Sequence, residues 1–274
     1  MKAPTPETAR RLRALLDRHS RGEKHIGYHI LPERLNALLA GSGLENRYTF
    51  HEPPRMAFFR RQIDFRGRSV LDIGCNIGWF LVGALDAGAS RVVGWEGKAS
   101  CAGFLAQAIR ELGEQDRFEL HAGYYRFDDG PDGQAGGAAA PHFDVALLLN
   151  VLHHLGDDYG DPGLGIAAAR EGMLRQLNGL ARQADTLLFQ LGFNWKGNRQ
   201  LGLFEHGTKA EMIDFVTQGT QGHWAVQAIG IAERDATTGA VHYAAPSAAN
   251  LPRQDALGEF LNRPLFVLRS RHAG

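Results

Sequence analysis

Three groups of residues in this 274-residue chain have the types and spacing to do chemistry. The first is Asp72-Ile73-Gly74-Cys75-Asn76-Ile77-Gly78, where an apolar run from Val70 to Ile73 stops at a glycine. A second glycine, Gly78, precedes an apolar stretch from Trp79 to Ala87. Glycine has no Cβ, so such a corner lets backbone approach a bound ligand closely. Asn76 sits between the two glycines, and asparagine tolerates positive φ better than most residues. The second group is Glu96, 22 residues after Gly74. A carboxylate at about that distance past a glycine loop can accept from both hydroxyls of a ribose. The third is Asn150-Val151-Leu152-His153-His154-Leu155. Imidazole takes a proton near neutral pH, as an oxygen or nitrogen nucleophile requires; a histidine that packs and caps a turn is the competing reading for each ring.

These groups need elements that hold them. From Ser69 onward, apolar runs of strand length alternate with helical stretches, which argues for a parallel sheet covered on both faces. Strands are expected over Val70–Ile73, Arg91–Trp95, Phe118–Ala122, Phe143–Leu149 and Thr186–Leu191, with helices at Trp79–Ala87, Ala99–Leu112 and Gly163–Arg182. On this reading Gly74, Glu96, Gly97, Gly123, Tyr124 and Asn150 all follow the carboxyl ends of strands, where open α/β sheets collect ligands. Gly192-Phe193-Asn194-Trp195-Lys196-Gly197-Asn198, after the fifth strand, is rich in hydrogen-bonding and stacking groups and reads as an acceptor-binding loop or a structural turn. Thr208-Lys209-Ala210-Glu211 has the pattern of a capping box. Trp224–Ala232, Val241–Ala244 and Pro264–Arg269 read as antiparallel strands closing the sheet, and Asp128–Pro141 is a loop by composition.

Residues 1–68 precede the first strand and read as helical, with Thr5-Pro6-Glu7 as a helix start and further helices at Pro32–Ala40 and from Pro54. His25 to His29 is a polar-aromatic connector between the first two. This front end carries 14 Lys/Arg against 7 Asp/Glu, leaving 16 against 23 in the remainder of a chain of zero net charge. A basic front on an acidic body suits an acidic substrate, and equally a solvated helical surface docked on the rest. Composition is that of a globular protein, with 44% apolar and 22% charged residues. No apolar run reaches membrane-spanning length and the first residues lack a secretory pattern, so no membrane role and a cytoplasmic location are expected. Cys75 and Cys101 form no metal-ligand pattern and read as small buried thiols, with no metal site expected.

Asp72-Ile-Gly-Cys-Asn-Ile-Gly78 resembles the first motif of class I S-adenosylmethionine (SAM) dependent methyltransferases, with Asn76 replacing the middle glycine. Phe143-Asp-Val-Ala-Leu-Leu-Leu-Asn-Val-Leu-His-His-Leu155 is similar to the motif after their fourth strand. The resemblance implies a Rossmann-like, mostly parallel seven-stranded α/β sheet with helices on both faces, an antiparallel C-terminal hairpin and an N-terminal helical cap (1–68) before a SAM-binding domain (69–274). It implies SAM as cofactor, held by Asp72, Gly74, Cys75, Asn76, Gly78, Trp79, Glu96, Gly97, Gly123, Tyr124 and Asn150. Tyr124 stands where family members commonly carry an adenine-contacting Asp, and its ring offers stacking or packing instead. His154, with His153 as the alternative, is the implied base. The expected acceptor is a hydroxyl, or another oxygen or nitrogen nucleophile, of a small molecule or glycan, phosphorylated acceptors included. A distant resemblance to bacterial tRNA wobble-uridine methyl- and carboxymethyltransferases makes RNA modification the second reading, against which stands the absence of a marked basic domain. A non-catalytic SAM-binding regulator is the third.

Overall fold

Val70, Leu71, Asp72 and Ile73 are buried in succession, so β1 (Ser69–Ile73) is covered on both faces, as a strand without polar alternation must be. The computed structural model describes residues 5–19, 31–39, 50–127 and 141–272; the His25–His29 connector and nearly all of the Asp128–Pro141 loop lie outside them. Among the described residues there are eight strands and eight α-helices, divided between two compact units.

The first unit comprises residues 1–56 and 64–125. β1 pairs in parallel with β2 (Arg91–Glu96), and β2 with β3 (Phe118–Ala122), in the order β3-β2-β1. Helices α4 (Trp79–Asp86) and α5 (Ala99–Leu112) make the connections, as in one half of a doubly wound α/β sheet. α4 buries Phe80, Leu81, Val82, Ala84 and Leu85, apolar on nearly every side. α5 ends at Gly113, whose φ of +70° closes the helix as a left-handed residue does. α1 (Pro6–His19) starts as its sequence predicts, with Thr5 Oγ1 accepting from the Thr8 N–H at 3.2 Å. α1 and α2 (Glu33–Ala37) pack against α5 and bury Leu12 and Leu35. Arg34 of α2 fastens the ends of both sheet-covering helices, reaching Asp86 at 3.0 Å and Glu114 at 2.5 Å.

The second unit comprises residues 57–63 and 126–274. Helix α3 (Glu52–Gln62) gives Phe58 to it, with the ring lying over Gly230 where a Cβ would come within 2.9 Å. β4 (Phe143–Leu149) pairs in parallel with β5 (Ala184–Gln190). β8 (Leu265–Ser270) runs antiparallel between β5 and β6 (Trp224–Arg234), and β7 (Val241–Ala244) pairs antiparallel with β6. α6 (Ile166–Gly179) precedes β5, α7 (Lys209–Thr220) precedes β6, and the short α8 (Gly258–Leu261) precedes β8. The capping box is formed: Thr208 Oγ1 accepts from the Glu211 N–H and Glu211 Oε2 accepts from the Thr208 N–H.

Two expectations need correction. Among the described residues the strands number eight, at the eight segments of strand character in the sequence and one more than the family resemblance implies, and the second unit is parallel only at β4–β5. The first part of β6, Trp224 to Gly230, pairs with β8, and its last four residues, Ile231 to Arg234, pair with β7, so one strand serves two partners. No helix among the described residues is long and apolar enough to cross a membrane.

Candidate functional site

In the first unit three parallel strands end at one edge, with Gly74 after β1, Glu96 closing β2 before Gly97, and Gly123-Tyr124 after β3. The loop after β1 is left-handed at alternate residues: Gly74, Asn76 and Gly78 have φ of +77°, +52° and +79°. Asn76 fits this conformation because its own Oδ1 accepts the next N–H, that of Ile77, at 2.8 Å. Gly78 is needed twice, since a Cβ there would also meet Leu105 Cδ1 of α5 at 2.6 Å. The loop hangs from β2 through two N–H groups, of Gly74 and Cys75, that both donate to the Trp95 carbonyl.

Glu96 completes the cradle in a way its position alone did not reveal. Its Oε2 accepts from the Asn76 N–H at 2.7 Å and its Oε1 from the Lys98 N–H at 2.7 Å. One carboxylate thus joins the loop to the start of α5. Beneath it Asp72 is buried, and burial together with the neighbouring Glu96 charge pushes its carboxyl up to about 8, against the pull of Arg55. Arg55, almost fully buried, lies 4.7 Å above the Phe80 ring. Burial, with Asp72 and Glu96 nearby, also pushes the Cys75 thiol well up, so it stays protonated. Cys101 is likewise a free, buried thiol, its Sγ 3.7 Å from Asn76 Oδ1.

Aromatic rings line the ends of β2 and β3. Trp95 stacks on His121 at 4.3 Å and meets Tyr125 edge-on at 5.5 Å. Tyr124 lies across Gly97, where any Cβ would overlap its ring, and remains 54% exposed. The Gly123 N–H donates to the Glu96 carbonyl at 2.8 Å. This set fits an adenosyl group: a carboxylate at the end of β2 for a diol, exposed aromatic surface for a base, and a left-handed loop that brings backbone close. Trp79 adds a second indication, because its indole N–H is buried with no hydrogen-bond partner among the described residues and an acceptor on a bound molecule would satisfy it.

In the second unit, the loops after β4 and β5 are locked to each other. Asn150, at φ +62°, gives its side-chain N–H₂ to Gln190 Oε1 at 2.9 Å, and its Oδ1 accepts from Arg263 at 2.8 Å. That carboxamide is therefore committed on both sides to protein partners. His153 is buried under Gly192, whose N–H donates to its Nδ1 at 3.3 Å and whose Cβ, if present, would lie 2.8 Å from the ring. His154 is only partly buried, with Nδ1 3.3 Å from Asp158 Oδ2 and 3.8 Å from Asp157 Oδ2. The Trp195 indole N–H donates to the Leu155 carbonyl at 2.6 Å, so the 192–198 segment braces the histidine turn. Gln190, Arg263, Asp157 and Asp158 were not foreseen. Only the aspartates carried a local signal, lying three and four residues after His154. A groove of about 610 Å³ along α6, bordered by Arg175, Asn178 and Arg182, contains none of these groups.

No family model matches the chain, and neither does any curated protein. Solved structures do match. The bifunctional kinase-methyltransferase WbdD matches at 17% identity and a TM-score of 0.49, over 78% of this chain and 39% of that one. The pyocyanin biosynthetic protein PhzM matches at 17% identity and 0.44, over 80% of this chain and 55% of that one. PH1948 from Pyrococcus horikoshii, provisionally an RNA methyltransferase, matches at 12% identity and 0.44, over 95% and 98%. The chain thus spans well under half the length of WbdD.

Proposed function

We propose that this chain is a SAM-dependent methyltransferase whose acceptor is a hydroxyl, or another oxygen or nitrogen nucleophile, of a small molecule or glycan, phosphorylated acceptors included. The observation that carries the reading is the cradle after β1: three left-handed residues, the middle one held by the Glu96 carboxylate. Gly74, Asn76 and Gly78 would present backbone to the cofactor, Glu96 would accept from the ribose hydroxyls, and Trp95, Gly97, Gly123 and Tyr124 would border the adenine. Bound, the cofactor supplies a methyl group made electrophilic by its sulfonium. The protein then has to hold an acceptor in line, exclude water and take up a proton where the acceptor carries one. We assign that proton uptake to His154 rather than His153. The N–H of Gly192 occupies His153 Nδ1 and the ring is buried, whereas His154 keeps some exposure.

Calorimetry with SAM, followed by turnover to S-adenosylhomocysteine over a panel of hydroxyl and phosphate acceptors, tests the reading. Saturable SAM binding with product formed from one acceptor class is the expected result. Binding without product from any acceptor would make the chain a regulator, and no binding at millimolar SAM would end the proposal. Salt-dependent retention on bulk tRNA with methyl incorporation would move the acceptor to RNA. His154→Ala is expected to lower turnover about 10²-fold with SAM affinity unchanged; an equal loss of affinity would make that histidine structural.

A further inference from the structure

Along α6, charge, concavity and an unmet hydrogen bond coincide. α6 buries Ala169, Met173 and Leu177 on one side, and Leu174, Arg175 and Asn178 border the groove of about 610 Å³. Arg182 joins them from the 3₁₀ turn Leu180–Arg182, about two helical turns beyond Arg175. Among the described residues neither guanidinium makes a hydrogen bond or an ion pair. Glu171 borders the groove four residues before Arg175, the spacing at which pairs form on a helix, yet the two stay unpaired. Asn178 lies between the arginines. Its side-chain N–H₂ donates to the Gly219 carbonyl at 2.9 Å, which fixes the carboxamide, and its Oδ1 is buried with no donor among the described residues. Buried acceptors are seldom left unmet, so a donor from another molecule is called for. The walls are set by close packing. A Cβ at Gly219 of α7 would meet Leu174 Cδ2 at 2.5 Å, and the Trp224 indole N–H donates to the Leu177 carbonyl at 3.0 Å. α7 and the start of β6 are thereby held against α6, and the groove is preformed at the size of a small-molecule site. His223, in the turn between α7 and β6, borders it with Nδ1 3.1 Å from His272 Nε2. Phe127 and Leu174 add apolar surface.

We infer that the groove along α6 binds a nucleoside monophosphate with an amino-bearing base, a function independent of the methyl-transfer reading. Arg175 and Arg182 take the phosphate, whose oxygens match planar guanidinium forks. Leu174 and Phe127 take the faces of the base, and its exocyclic amino group supplies the donor that Asn178 Oδ1 lacks. Each feature selects a different part of the ligand. An inorganic phosphate would leave Asn178 unmet, and an uncharged nucleoside would leave both guanidinia unmatched. A phosphate monoester of charge about −2 balances two guanidinia, and Glu171 on the same rim opposes a longer phosphate chain.

The experiment titrates the full, nitrogen-15-labelled chain with cytidine 5′-monophosphate in the presence of excess S-adenosylhomocysteine. A pyrimidine ligand and the added adenosyl compound keep the cradle after β1 out of the readout. Saturable shifts at Arg175, Asn178, Gly179 and Arg182, at millimolar ligand or below, are expected. Uridine 5′-monophosphate, which carries a carbonyl in place of the cytosine amino group, should bind roughly tenfold more weakly. Asn178→Ala should shrink that preference to about twofold or less. The double variant Arg175→Gln, Arg182→Gln should lose about 10²-fold in affinity while its melting curve stays that of the unaltered protein. Inorganic phosphate and cytidine alone should each bind at least about tenfold more weakly than the nucleotide. No saturable shift at the groove, or an affinity unchanged in the double variant, overturns the inference. So does equal binding of inorganic phosphate and the nucleotide, or of the two nucleotides, since the groove would then select neither a base nor its amino group.

Discussion

After β1 the chain turns by backbone conformation, with Gly74, Asn76 and Gly78 left-handed and two carboxylates close together below and beside them. After β4 and β5 it turns by side-chain packing: His153 under Gly192, Trp195 on the Leu155 carbonyl, Asn150 between Gln190 and Arg263. The first construction stores backbone strain and a buried pair of carboxyls, one with a raised pKa, features that collect at ligand sites. The second commits its polar side chains to partners within the protein. Substitutions in the first region should therefore reach cofactor binding, and most substitutions in the second only stability.

The sharpest way to break this contrast is Gly78→Ala. An alanine would have to hold φ at +79° and push Leu105 aside, together costing about 2–4 kcal/mol. SAM binding should disappear by calorimetry, while a melting curve should still show a folded, destabilised protein. Retained affinity would mean the loop conformation is incidental.

Asp72→Asn probes the buried carboxyl. The folded carboxyl titrates near 8 against an ordinary value of 3.8, so between those limits the native state holds the proton more tightly than the unfolded chain. Its contribution to stability is complete below about pH 4 and is lost as pH rises through about 8, at up to about 1.4 kcal/mol per pH unit. Urea titrations from pH 5 to 9 should show stability falling with pH in the unaltered protein and a flatter profile in the variant. Identical slopes would place the titration elsewhere.

Glu96→Gln should follow in size. An amide can offer one oxygen but turns an N–H₂ toward one of the two N–H groups now served. Leaving a buried donor unmet costs about 1–3 kcal/mol, and SAM affinity should fall roughly 10- to 100-fold in calorimetry. Gly192→Ala offers the matching test on the other side. Its Cβ would press on the His153 ring, costing about 1–3 kcal/mol of stability in urea melts with SAM affinity unchanged. A loss of affinity there would erase the distinction between the two regions.

What could be read in advance follows the same division. Positive φ favours glycine and asparagine, so the loop after β1 left a legible pattern at Gly74, Asn76 and Gly78. The position of Glu96 was legible from its distance past Gly74, but its partners were not, because backbone N–H groups carry no residue label. Around Asn150 the partners Gln190 and Arg263 lie 40 and 113 residues away, and no local pattern encodes such pairing. All eight strand segments were legible and only the number implied by the resemblance was wrong; the sharing of β6 between β8 and β7 is a tertiary outcome that no local pattern encodes.

The smallest effect is the most discriminating for the loop itself. Asn76→Gly would relieve a left-handed residue with a side chain, worth about 1 kcal/mol or less for asparagine. It would also remove the Oδ1 acceptor for the Ile77 N–H and the neighbour of Cys101 Sγ, a loss of about 0.5–1.5 kcal/mol, and add the backbone entropy of glycine to the unfolded chain. The terms nearly cancel, so stability should change by less than about 1 kcal/mol. The hydrogen bond from residue 76 to Glu96 comes from the backbone and survives the change. SAM affinity should therefore stay within about threefold by calorimetry. A tenfold loss would show that the Asn76 carboxamide itself reaches the ligand, and the cradle would then rest on a side chain as the loops after β4 and β5 do.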